Sequence, residues 1–84
     1  MKELLKELRE ELLNKEVTLL GLDNTAERIA ESTTSLFDYA ECLKQKSCAY
    51  YIGKDKNIIV EWEVIEKAED NTDTIVKVTD IWED

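Results

Sequence analysis

Leucine recurs at helical intervals near the start of the chain. Apolar residues at every third or fourth place form one face of an α-helix, and the residues between these leucines are nearly all strong helix formers. The pattern predicts a helix over residues 2–14 whose leucine face packs on a core. With only about two heptads, the stripe is too short for a coiled coil. Its leucines are Leu4, Leu5, Leu8, Leu12 and Leu13.

The pattern changes at residues 16–22, EVTLLGL. The β-branched and apolar residues favour extended structure, and Gly21 weakens any helix. The segment therefore predicts a short strand or an extended connector, with residues 17–20 as a candidate fourth strand at an edge of the sheet.

A second helical region follows. Asp23 and Asn24 offer an N-cap, and Glu27 gives Asn24 the outline of a capping box. Apolar residues then continue at helical spacing, interrupted by a run of Ser and Thr that competes for backbone hydrogen bonds. We expect helices at about 24–32 and 35–46, either separate or joined into one bent rod.

The second half of the chain alternates between apolar and polar residues, which is typical of strands. It predicts strands at 48–52, 58–66 and 74–82, with a polar turn after the first and the loop 67–73 after the second. Together with the helices, these strands predict an α+β fold in one small domain, residues 1–84. Two or three N-terminal helices would pack on a three-stranded, possibly four-stranded, antiparallel β-meander.

Cross-strand pairing predicts the register of this meander. One register of the last two strands places Val64 opposite Val76 and matches the charges of Glu63 and Lys77. Trp62 then lies in the core, as Phe37 and Tyr50 also would by periodicity. The same scheme sets Trp62 opposite Val78 and Glu61 opposite Thr79, and in the first hairpin it sets Cys48, Tyr50 and Ile52 opposite Trp62, Val60 and Ile58.

The charge of the chain indicates which class of partner it binds. Its 84 residues carry 20 Asp plus Glu against 11 Lys plus Arg, a net charge of −9. Residues 61–84 alone carry −7, from nine acids and two bases, whereas residues 42–60 carry +3. Nucleic acids and anionic membranes bind through Lys and Arg, so we expect neither as a direct partner. A basic protein surface is the expected partner.

Residue types that carry catalysis are scarce. The chain has no His, which removes the commonest general base and metal ligand. Glu61 and Glu63 share a strand face with no other reactive group. The 67–73 loop is rich in oxygen ligands but lacks the spacing of a calcium loop. We expect no enzyme activity, no metal and no cofactor.

The two cysteines indicate the compartment. Cys42 and Cys48 lie in a chain without a recognisable secretory signal, so we expect free thiols and a cytoplasmic location.

The carboxylates of the C-terminal half are the candidate partner-binding residues. We expect them to project a negative field from one end of the molecule, with two aromatic residues beside them because Tyr and Trp are enriched at interfaces. The candidates are Glu61, Glu63, Glu69, Asp70, Asp73, Glu83 and Asp84, together with Tyr51 and Trp82.

In size, charge and element order the chain resembles small acidic inhibitors, such as phage-encoded DNA mimics and anti-CRISPR proteins. The resemblance implies a non-enzymatic module that occupies the basic, nucleic-acid-binding surface of an enzyme. The alternative is a small structural or assembly protein. Its leucine helix or exposed sheet edge would form a homodimer, and its charge would serve solubility only.

Overall fold

A computed structural model describes residues 2–30, 39–53 and 56–84. Within them it has three α-helices and a four-stranded antiparallel sheet, which confirms the predicted α+β fold. The strand order is β1-β4-β3-β2, so the predicted meander is extended by a fourth strand beside β4. The elements are α1 (Lys2–Leu12), β1 (Glu16–Thr18), α2 (Leu19–Ala30), α3 (Tyr39–Gln45), β2 (Ser47–Gly53), β3 (Lys56–Glu66), a 3-10 turn (Asn71–Asp73) and β4 (Ile75–Glu83).

Helix α1 uses its leucine stripe as predicted. Leu8 and Leu12 are fully buried, and the other leucines of the stripe pack against the same core. The helix ends before Asn14, whose φ of 65° lies in the left-handed region that stops helices and that Asn tolerates. The leucine face therefore packs on the core of the molecule, with Leu4, Leu5 and Leu13 partly buried.

Helix α2 begins earlier than its sequence predicts. The strand stops at Thr18, whose Oγ1 accepts the N–H of Gly21 at 3.1 Å and so caps the helix. A Cβ atom at Gly21 would lie only 3.0 Å from that oxygen, which is why glycine suits this position. The capping box at Asn24 is wrong, because Asp23 and Asn24 lie inside α2. Its buried residues recur at helical intervals: Leu19, Leu22, Asp23, Ala26 and Ile29.

Helix α3 corresponds to the C-terminal part of the helix predicted at about 35–46. It begins at Tyr39, whereas residues 31–38, which hold the Ser and Thr run and Phe37, lie outside the described residues. Lys46 has a φ of 62° and donates its N–H to the carbonyl of Cys42 at 2.7 Å. This left-handed residue ends α3 and leads the chain directly into β2.

The predicted register of β3 and β4 is correct for three consecutive pairs only, and a second irregularity after Val64 sets Glu66 opposite Ile75. Trp62 lies opposite Val78, Glu63 opposite Lys77 and Val64 opposite Val76. Beyond Trp62 a β-bulge adds one residue to β4, so Glu61 lies opposite Asp80 and not Thr79. Asp80 Oδ1 accepts the N–H of Ile81 at 2.9 Å.

The predicted register of β2 and β3 is wrong by two residues. Cys48 lies opposite Val60 and Tyr50 opposite Ile58, because pairing continues to Gly53 and Lys56. Residues 54–55 and the side chain of Ile52 lie outside the described part of the chain. A shift of two residues keeps every side chain on its predicted face, so Cys48, Tyr50 and Trp62 are still buried.

The core lies between the helices and one face of the sheet. Residues of that face alternate with those of the opposite face, which the described helices leave uncovered and which we call the outer face. The buried strand residues of the inner face are Cys48, Tyr50, Ile58, Val60, Trp62, Val76, Val78 and Ile81.

Candidate protein-binding surface

The outer face carries most of its carboxylates in two neighbouring rows across the sheet. In the first row Lys77 lies between Glu16 and Glu63, its partners on the flanking strands. In the second row Asp80 lies opposite Glu61. We call Glu16, Glu61, Glu63 and Asp80 the acidic patch; Lys77 is the basic residue in these two rows.

An apolar row adjoins the acidic patch. Trp82 lies opposite Ile59, and Ile59 lies opposite Ala49, so the row crosses three strands. The Trp82 side chain is 37% exposed although it is large and apolar. Its indole Nε1 donates a hydrogen bond to Glu61 Oε2, which fixes the ring beside the carboxylate. The surface therefore offers an oriented aromatic ring next to negative charge.

The structure brings only some of the predicted binding residues together. Glu61, Glu63 and Trp82 lie on the outer face, with Glu63 and Trp82 exposed and Glu61 half-buried. The backbone of Tyr51 lies in β2 opposite Asn57, but its side chain lies outside the described residues.

The remaining predicted carboxylates lie at two opposite ends of β4. Glu69, Asp70 and Asp73 are exposed in the connection before β4, next to the 3-10 turn. Glu83 and Asp84 follow the other end of the strand, where the N–H of Asp84 donates to the carbonyl of Asn57 at 2.8 Å. The nine residues of β4 separate these groups by roughly 30 Å. The expectation that all the carboxylates share one end is therefore wrong.

Sequence reasoning missed two members of the acidic patch. Glu16 joins it through the pairing of β1 with β4, which a three-residue strand only weakly signals. Asp80 joins it through the bulge, which shifts the alternation of β4 by one residue. The sequence signal for that bulge was the spacing of Val78 and Ile81, two apolar residues three positions apart in one strand, both of which are buried.

A buried polar cluster joins α2, α3 and β2. Asp23 is only 5% exposed, and its two carboxylate oxygens accept the hydroxyls of Tyr39 at 2.8 Å and Tyr50 at 3.0 Å. Burial, and then the bond to Asp23, raise the pKa of Tyr39 from 10 to about 12, and burial also raises the pKa of Tyr50. The cluster adds polar contacts to the packing of α3, whose Tyr39, Cys42 and Leu43 are partly buried against the core.

Both cysteines are free thiols, but they differ in accessibility. Cys48 is 4% exposed and its burial raises its pKa, whereas Cys42 is half-buried. The thiolate is the reacting form, and each unit of pKa changes its fraction about tenfold. We therefore expect iodoacetamide to modify Cys42 at least about tenfold faster than Cys48 in the folded protein. Peptide mass mapping over time measures both rates, and equal rates before urea is added would contradict the burial of Cys48.

Within residues 2–30, 39–53 and 56–84, no three His, Cys, Asp or Glu side chains come together as a metal site would require. In the same residues, no helix has the length and apolar content needed to cross a bilayer. No family model, curated protein or solved structure matches the chain.

Proposed function

We propose that this protein is a non-enzymatic acidic module that binds a basic protein surface through the outer face of its sheet. The observation that supports this most strongly is the acidic patch next to the exposed Trp82. A large exposed indole is typical of a surface that a partner completes, and the neighbouring carboxylates complement cationic side chains of such a partner.

Charge complementarity defines the chemistry of that partner. The acidic patch holds four carboxylates, with one lysine in the same two rows, within a chain of net charge −9. A partner rich in Lys or Arg is steered towards such a field, and the association rate falls as salt screens it. Lys77 adds specificity, because a cation placed directly opposite it is repelled while cations on either side find Glu16 or Glu63.

Trp82 supplies the apolar part of the contact. Exposed tryptophans that become buried at an interface often carry much of the binding energy. The hydrogen bond from its indole to Glu61 holds the ring in place before binding, which lowers the entropy lost on association. An Arg side chain suits both groups, since its guanidinium can stack on the ring and pair with the adjacent carboxylate.

The finer proposal is that the partner is a nucleic-acid-processing enzyme and that binding inhibits it. Carboxylates at alternate positions of β3, such as Glu61 and Glu63, lie about 7 Å apart along the strand. A channel lined with Lys and Arg for phosphates would accept such a row of charges. Inhibition would follow from occupancy, as in the DNA mimics and anti-CRISPR proteins that the chain resembles in size and charge.

Two charge-matched variants test this proposal. The patch variant neutralises Glu16, Glu61 and Glu63 to Gln, and the loop variant neutralises Glu69→Gln, Asp70→Asn and Asp73→Asn. Both remove three charges without adding bulk, and Gln at position 61 keeps an acceptor for the Trp82 indole. We expect the patch variant to lose about tenfold in affinity for proteins captured from the source cells, and the loop variant to lose much less.

The partner so identified then serves in a competition assay. The wild-type protein should displace labelled DNA or RNA from the partner, and the patch variant should displace it weakly. Added salt should reduce the difference in displacement between the two proteins. Equal affinities of the two variants would assign the effect to net charge and not to the acidic patch. If the partner binds nucleic acid equally well in the presence of the wild-type protein, inhibition by occupancy is rejected. The proposal that the acidic patch binds the partner would still stand.

A further inference from the structure

We infer that the outer edge of β2, with which no other described strand pairs, is a second binding site, which takes an extended acidic segment of another protein as an additional strand. β2 ends the strand order, with β3 as its neighbour in the sheet. The N–H of Trp62 donates to the carbonyl of Lys46 at 3.1 Å, so Lys46 and Trp62 form a hydrogen-bonded pair. In antiparallel strands, every second residue directs its N–H and C=O groups towards the neighbouring strand. Ser47 and Ala49 are the residues between, and they direct these groups away from β3.

The part of β4 that extends beyond its pairing with β1 is closed by the chain itself. Val78 in β4 exchanges backbone bonds with Asn14 and Lys15, at 2.8 and 3.1 Å. Further along, Arg9 donates from Nε and Nη2 to the carbonyl of Ile81, at 3.0 and 2.8 Å. Edge protection of this kind is how proteins prevent unwanted strand pairing. Its presence along β4 contrasts with β2, where Ala49 is exposed.

Charge identifies the occupant of the β2 edge. Residues 42–60, which include β2, carry net +3 in an otherwise acidic chain, and Lys44 and Lys46 are exposed just before the strand. Pairing with a second copy would set two such basic segments against each other, and like charges across a strand pair are destabilising. An acidic segment makes the same backbone bonds and gains favourable charge pairs. The lysines thus disfavour self-pairing and select an acidic strand.

This inference is independent of the proposed function. The acidic patch needs a cationic partner on the outer face, whereas the β2 edge needs an anionic strand in the plane of the sheet. Substitutions in the acidic patch leave the β2 edge intact. An experiment can therefore reject the acidic patch as a binding site without rejecting the β2 edge, and the reverse.

The test uses a dye-labelled, end-blocked peptide of alternating Glu and Val, as long as the seven residues of β2. Fluorescence anisotropy should detect binding of this peptide and not of its Lys–Val counterpart. Ala49→Pro removes the outward N–H, and proline is tolerated where a strand's N–H faces solvent. We expect Ala49→Pro to abolish binding and Ala49→Val, which keeps the N–H, to retain it.

A second variant covers the case in which Ala49→Pro does not fold. Lys44→Glu with Lys46→Glu leaves the strand backbone unchanged and should weaken binding of the acidic peptide about tenfold. Slower hydrogen exchange of the Ala49 amide in the presence of peptide would support strand addition. Equal binding of both peptides, or none, would overturn the inference. Light scattering tests whether the occupant is a second copy of this chain. The inference would also be overturned by a dimer that Ala49→Val retains and that becomes tighter in the Lys44→Glu, Lys46→Glu variant.

Discussion

Replacing Trp62 with alanine should destabilise the protein by about 3–5 kcal/mol, the usual cost of truncating a large aromatic side chain in a core. Trp62 is 3% exposed and lies opposite Val78 at the centre of the buried sheet face. A domain of this size has a free energy of unfolding of only about 5–10 kcal/mol, so Trp62→Ala should melt at a much lower temperature or not fold. A cooperatively folded Trp62→Ala protein with unchanged urea midpoint would contradict the central position of this residue.

Trp62→Phe is the matched control. Among the described residues, the buried Nε1 of Trp62 has no hydrogen-bond partner. Phenylalanine keeps much of the apolar volume and removes this unsatisfied donor, whose burial itself costs about 1–3 kcal/mol. We expect Trp62→Phe to lose far less stability than Trp62→Ala in urea unfolding followed by circular dichroism. Equal losses would show that ring volume does not explain the alanine result.

Asp23→Ala should have an effect of similar size, about 3–5 kcal/mol, because it removes two buried bonds to a charged group that each contribute roughly 1.5–3 kcal/mol. The hydroxyls of Tyr39 and Tyr50 both donate to this carboxylate. Without it, both hydroxyls would lose a charged acceptor, and a bond between α3 and α2 would be lost. Urea unfolding measures the loss of stability.

Asp23→Asn separates hydrogen bonding from charge. The amide keeps one acceptor and supplies a donor that a tyrosine hydroxyl can accept, so this variant should retain more stability than Asp23→Ala. Burial is the largest cause of the raised pKa of Tyr39 and remains in both variants, but the bond and charge of Asp23 also raise it, so this pKa should fall below about 12 without returning to 10. Phenolate absorbance during alkaline titration measures that pKa. An unchanged tyrosine titration in Asp23→Ala would contradict the Tyr39–Asp23 bond.

Elements with strong local patterns were predictable from the sequence. The leucine stripe of α1 and the alternation of β3 both lead to the observed burial of Leu8, Leu12, Val60 and Trp62. Helix α2 was less predictable, because Val17 and Thr18 favour a strand locally and Gly21 weakens a helix, whereas the burial of both Leu19 and Leu22 requires a helix. Tertiary packing outweighs the local preference, so the segment from Leu19 is helical and Thr18 caps it.

Sites formed by several elements were harder to predict. Glu61, Glu63 and Trp82 were candidate binding residues from their charge and exposure, but their grouping depends on the bulge that places Trp82 opposite Ile59. The Asp23 cluster joins residues up to 27 positions apart in sequence. No local pattern distinguishes a buried carboxylate from a helix cap, so Asp23 could be recognised only in three dimensions.

Carboxylate footprinting tests the proposed binding surface most directly. A carbodiimide couples glycine ethyl ester to accessible Asp and Glu side chains, and peptide mass mapping follows each site with and without the captured partner. Binding on the outer face predicts protection of Glu16, Glu61 and Glu63 by the partner, with labelling of Glu69, Asp70 and Asp73 unchanged. Protection confined to the 67–73 loop or to Glu83 and Asp84, with the acidic patch labelled as in the free protein, would contradict the proposed function.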